Sequence, residues 1–156
     1  MKDTEQTGRK SWDDARSGCE GLLPGASLAV IPSNEYNSFI YAHMFGSAQS
    51  VWVGGRADQN REWTWADNNT AFIYSNWAEG EPNNSGGTEA CLEVQRNNGR
   101  WNDNTCEKTQ PYICSVDKAQ FQIVSRIQNL FYDFCPKIFK ESFCFAPKWW
   151  LNTQLG

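Results

Sequence analysis

The chain has 156 residues and a formal net charge of −4, length enough for one hydrophobic core and too short for two large domains. Its 14 Lys and Arg form no cluster of the kind that phosphate neutralisation requires, which excludes a general nucleic-acid binder. Six cysteines, none in a CxxC pair, fit a disulfide framework and an oxidising compartment better than a metal cluster or a thioredoxin-like redox site.

Residues 1–10 are polar and lack the apolar core of a signal peptide, so Met1 is expected not to be the natural start of the secreted chain. Ser11, with Asp14 three positions on, reads as a helix N-cap, and the helix should run to about Glu20. Trp12, Ala15 and Cys19 share one face of it, which turns Cys19 inward. Gly21 and Pro24 stop the helix, and Ser27–Ile31 is apolar and bounded by turn residues, as a buried strand would be. A second helix starts at Pro32-Ser33. Tyr36, Phe39, Ile40 and His43 recur along it, which makes the lone histidine a helix residue near the core edge rather than a catalyst or ligand.

From Ser50 the texture changes to short strands, beginning with Val51–Gly55. Trp63 and Trp65 alternate around Thr64 and should face one side of a strand, followed by a turn at Asp67-Asn68-Asn69. Phe72, Tyr74 and Trp77 are expected to pack beneath a long loop, which runs from about Ala66 to Glu89. Loops of that length without secondary structure are uncommon unless they serve function. Cys91–Val94 reads as a strand, and Trp101 and Pro111–Cys114 would close the sheet. In the tail, Val124, Ile127, Phe131 and Phe134, widened by Ile123 and Leu130, predict an amphipathic helix from Ala119 to about Cys135. Cys135 and Cys144 could close a local bridge or join chains, and the tail could dock on the domain or a partner, or be a merely sticky extension.

The stretch Glu81–Asp103 concentrates the chemistry. Glu81, Glu89 and Asp103 offer carboxylates and Asn83 and Asn102 amide oxygens, the ligand mix of a hard cation such as Ca²⁺. Zinc and transition metals lack nitrogen and sulfur donors there. The bland reading is a solvated turn, since Asn-Asn-Ser-Gly-Gly is ordinary loop sequence. An enzyme reading is poorest, because no nucleophile and base are paired.

Together the motifs resemble a C-type lectin-like carbohydrate-recognition domain: SWDDARSGC at Ser11–Cys19, VWVGG at Val51–Gly55, WTWADN at Trp63–Asn68, SNW at Ser75–Trp77, EPN at Glu81–Asn83, EAC at Glu89–Cys91, WND at Trp101–Asp103 and YIC at Tyr112–Cys114. The resemblance covers residues 11–117, between the polar segment 1–10 and the extension 118–156. It implies an α+β fold with two helices flanking two small antiparallel sheets, a long ligand-binding loop, and disulfides Cys19–Cys114 and Cys91–Cys106. It further implies that Glu81, Asn83, Glu89, Asn102 and Asp103 hold a Ca²⁺ cofactor after a cis peptide at Pro82. The ion would then take the vicinal equatorial 3- and 4-hydroxyls of mannose, fucose or N-acetylglucosamine, with each acid accepting and each amide donating. A second metal site would use Asp58, Glu62, Asn84 and Glu89, although Ala90 stands where a carboxylate is often found. The partners implied are glycans on glycoproteins or microbial surfaces, with clustering of copies for avidity, and the implied location is extracellular, secreted or part of an ectodomain. The alternative is a C-type lectin-like domain that binds a protein, ice or mineral surface without sugar recognition. Asn68-Asn69-Thr70 and Asn83-Asn84-Ser85 are glycosylation sequons, the second expected to be unused.

Overall fold

A computed structural model describes residues 8–22, 24–68, 70–117 and 143–147. Helix α1, Trp12–Glu20, begins where Ser11 accepts from the Asp14 N–H, and it buries Trp12, Ala15 and Cys19. Strand β1, Ala26–Leu28, is shorter than the apolar run suggests. The reason lies in its neighbours: Ala29 donates to the Ile113 carbonyl at 2.8 Å and accepts from Gly54 N–H at 2.8 Å, so these residues tie two sheets together instead of extending one ladder. Helix α2, Asn34–His43, follows Ser33 and buries Tyr36, Asn37 and Ile40, while His43 is exposed and its ring lies 5.0 Å from Phe39.

Strands β2 (Ser50–Ala57), β3 (Trp63–Trp65), β4 (Glu89–Gln95) and β5 (Trp101–Thr105) form a four-stranded antiparallel sheet in the order β3-β2-β4-β5. A second sheet has the order β1-β6-β7, with β6 at Ile113–Asp117 and β7 at Phe143–Pro147, also antiparallel. Two helices with two antiparallel sheets and disulfides are the architecture the sequence predicts. Strand β7 was not predicted; it pairs with β6 in the register Ile113↔Pro147 to Asp117↔Phe143. The predicted helix 119–135 lies outside the described residues, and so does Cys135 of the expected Cys135–Cys144 bridge.

Two apolar clusters fill the interior. One lies between α2 and the four-stranded sheet and includes Ile31, Ile40, Val51, Val53, Leu92, Val94 and Trp101. The other lies under α1, where Trp12 and Trp52 surround the bridges Cys19–Cys114 and Cys91–Cys106. Trp12 is fixed there by its indole N–H, which donates to the Val53 carbonyl at 2.8 Å. Glycine is required at 55, because a Cβ would stand 2.7 Å from Leu92 Cδ1, the side chain that fills the first cluster.

The candidate recognition loop

The loop between β3 and β4 rests on aromatic rings. Trp101 stands at their centre, with edge-on contacts to Trp65, Phe72, Tyr74 and Trp77 at centroid distances of 5.5–6.0 Å. Its indole N–H donates to Asn37 Oδ1 at 2.7 Å, which links the loop bed to α2. The bridge Cys91–Cys106, with 5.2 Å between Cα atoms, fastens β4 to the segment after β5. Register then pairs Glu93 with Asn102 and Leu92 with Asp103, and a bulge after Glu89 turns the start of β4 toward the loop.

Each predicted site residue can be followed to its partners. Glu81 and Asn83 flank a cis Glu81–Pro82 peptide and bond each other, with Asn83 Nδ2 donating to Glu81 Oε1 at 2.7 Å. Asp103 is fully buried and its two carboxylate oxygens accept from the N–H groups of Asn83 at 3.0 Å and Asn84 at 2.9 Å. Glu89 accepts from Ser85 N–H at 2.9 Å. Asn102 turns its amide inward, donating to the Asp103 carbonyl at 2.6 Å and to Glu93 Oε1 at 3.2 Å. The structure therefore brings Glu81, Asn83, Glu89 and Asp103 into one hydrogen-bonded network, with Asn102 bracing its floor.

The cation in this network is Arg61. Its guanidinium donates to Asp103 Oδ2 at 2.8 Å and to the Glu89 carbonyl, and it lies 5.9 Å from the Trp63 ring centre. A buried carboxylate needs a partner charge and hydrogen bonds, and Asp103 obtains both from Arg61 and the loop amides. Arg61 is presented by a turn that Asp58 closes, since Asp58 Oδ1 accepts from the N–H groups of Asn60 and Glu62, both at 2.8 Å. Glu93 is handled likewise, paired with Lys108 at 2.9 Å. Glu81 receives no such cation from the described residues. Its carboxyl is pushed above the ordinary carboxylate range, first by burial and then by its contact with Asp103, and the charges of Asp103 and Glu89 add to the effect while the Asn83 backbone N–H opposes it.

These partners decide the metal question. Among the described residues, no group of three or more His, Cys, Asp or Glu is arranged to hold a metal ion. Carboxylate oxygens of Glu81, Glu89 and Asp103 that were expected to face Ca²⁺ accept from N–H groups of the loop, and Asp103 also from Arg61. The expected second site fails for the same reason: Asp58 closes its own turn, Asn84 Oδ1 accepts from Glu89 N–H at 3.1 Å, and Glu62 is exposed. Between the Asp58–Arg61 turn and Asn84–Ala90 lies an open cleft of about 720 Å³. Sequence reasoning missed Arg61. The available signal was a lone arginine in the turn Asp-Gln-Asn-Arg-Glu, facing an acidic stretch that needed neutralising.

Residues 8–116 match the family model described as the lectin C-type domain. The chain belongs to the C-type lectin domain family. Domains of this family are binding modules rather than enzymes, and residues 8–116 are such a domain. A curated relative, a lectin of Pleurodeles waltl, is 38% identical over 110 residues, 67% of this chain and 63% of that protein, so this chain spans less than two thirds of it. The cow C-type carbohydrate-recognition domain of CD23, solved in the presence of a GlcNAc2Man3 oligosaccharide, is 36% identical with a TM-score of 0.57, covering 65% of this chain and 75% of that one. A calcium-independent type II antifreeze protein is 28% identical with a TM-score of 0.61, covering 69% and 78%. The fold thus has a member that works without calcium, and the loop of this C-type lectin domain is closed by its own donors. The predicted Ca²⁺ cofactor, the mannose-type sugar site built on it and the glycan partners are corrected on these two findings. No helix among the described residues is long and apolar enough to cross a membrane.

Proposed function

We propose that residues 11–117 form an extracellular, calcium-independent recognition domain that binds a protein partner through the long-loop face, without sugar recognition. The observation that carries this reading is the Arg61–Asp103 pair. It supplies within the chain the positive charge that the acidic loop needs, so the face is ordered before any ligand arrives, and preorganisation lowers the cost of association. Glu81, Asn83 and Glu89 give that face its exposed or half-exposed polar groups, while Asn102 and Asp103 hold it from beneath.

Protein is preferred to the other surfaces on chemical grounds. A mineral would call for carboxylates free to meet lattice cations, whereas Glu81, Glu89 and Asp103 are engaged by protein donors. Ice would call for a flat and weakly charged face, whereas this one carries a cleft with Arg56, Asp58, Arg61 and Glu89 along it. Charges of both signs beside a concave surface suit a protein partner of complementary pattern. The two disulfides support the extracellular placement.

The test compares four ligands under calcium and under EDTA: mannose-agarose, calcite crystals, ice (by thermal hysteresis) and an array of extracellular proteins. Binding to an array protein that EDTA leaves unchanged and Glu81→Lys abolishes is the expected result. Retention on mannose-agarose that EDTA reverses would overturn the proposal, and so would adsorption to calcite or ice with no protein bound.

A further inference from the structure

The two Asn-X-Ser/Thr sequons stand in opposite structural settings. Asn68 sits in the turn that follows β3 and is exposed, with left-handed backbone at φ 55°. Its backbone N–H donates to the Trp65 carbonyl at 3.0 Å, and the side chains that close the turn are its neighbours': Thr70 donates from its N–H to Asp67 Oδ1 at 3.2 Å and from its hydroxyl to Asp67 Oδ2 at 2.6 Å. A bulky substituent on Asn68 Nδ2 therefore displaces none of these hydrogen bonds. Asn83 is the reverse, for its Nδ2 donates to Glu81 and its N–H to Asp103 inside the recognition loop.

We propose that Asn68 is an N-glycosylation site of this protein and that Asn83 is bare in the folded molecule. The sugar chain is joined through a new bond between its reducing carbon and Asn68 Nδ2, with one amide proton lost and the lipid-linked oligosaccharide donor of the secretory pathway supplying the glycan and its diphosphate leaving group. The disulfides place the chain in the compartment where that donor acts. The inference rests on the extracellular part of the proposed function and on nothing said there about the partner. A glycan at Asn68 touches none of the bonds that join Glu81, Asn83 and Asp103, whereas one at Asn83 would break them.

The experiment directs the full chain through the secretory pathway of a eukaryotic cell line behind a cleavable signal peptide, alongside a secreted protein bearing a known used sequon. Both the secreted and the cell-retained fractions are read by intact mass and by peptide mapping after peptide-N-glycosidase treatment, which leaves Asp where a glycan was carried. The expected result is a heterogeneous mass increase removed by the enzyme, conversion at Asn68 alone, loss of the increase in Asn68→Gln and Thr70→Ala, and no change in Asn83→Gln. A chain unmodified at Asn68 in cells that modify the control, or a glycan mapped to Asn83, overturns the inference. Array binding by Asn68→Gln is measured in parallel, so failure of the site and failure of the proposed function are separate outcomes.

Discussion

Replacing Arg61 with alanine is the perturbation that most exposes how the loop is held. The substitution removes the charge partner of a carboxylate that is fully buried, while Arg61 itself is 35% exposed. Breaking a wholly buried pair costs about 3–5 kcal/mol. Here the exposed half of the pair already meets water, and Asp103 keeps its bonds from Asn83 and Asn84, so the cost falls to about 2–3 kcal/mol. For a chain of this size that corresponds to a melting temperature lower by about 5–10 °C. Calorimetry on wild type, Arg61→Ala, Asp103→Asn and the double variant measures both the loss and the coupling. With no buried charge left unpaired, the double variant should lose less than the sum of the single changes, by about 1–3 kcal/mol. Arg61→Lys should recover part of the loss, since it keeps the charge but not the two-pronged reach to Asp103 and the Glu89 carbonyl. Equal stability of Arg61→Ala and wild type, or strict additivity in the cycle, would show that the Arg61–Asp103 pair does not hold the loop.

Other substitutions test the supports around the loop. Trp101→Ala removes the ring on which four aromatic contacts converge and leaves Asn37 Oδ1 without its donor; urea unfolding should show a loss of about 3–5 kcal/mol. Replacing Cys91 and Cys106 together with alanine opens a loop of 15 residues and should cost about 3 kcal/mol, with faster amide exchange around Glu89 and Asp103 as the local signature. Glu81→Gln should raise stability at neutral pH. The folded-state pKa of Glu81 lies above its unfolded value, so wild type is relieved of the penalty below the ordinary carboxylate range and acquires it as pH rises through the folded value. Melting curves across pH should therefore converge for the two proteins in acid and separate near neutrality, and a gap that widens in acid would contradict this assignment.

Much of the scaffold was legible because its signals are local. The Ser11 cap, the face made by Trp12, Ala15 and Cys19, and the alternation of Trp63 and Trp65 each follow from residues within one element. The long loop was legible from its turn residues and scarce apolar ones. Strand β7 was not, because Phe143–Pro147 becomes a strand only by pairing with β6. The site was harder still. Carboxylates and amides that would hold a hard cation are the same groups that accept from N–H donors, and residue types alone do not say which will meet them. Arg61 decides the matter from 42 positions away along the chain, through a turn whose left-handed residue gives no periodic signal.

Arg61 and the loop amides do for this domain what a metal would otherwise do. Titration of Ca²⁺ into chelator-stripped protein, followed by calorimetry and by retention on mannose-agarose, tests it directly. No binding heat, no change in melting temperature and no retention are expected. Saturable calcium binding that stabilises the fold and brings retention reversed by EDTA would contradict it.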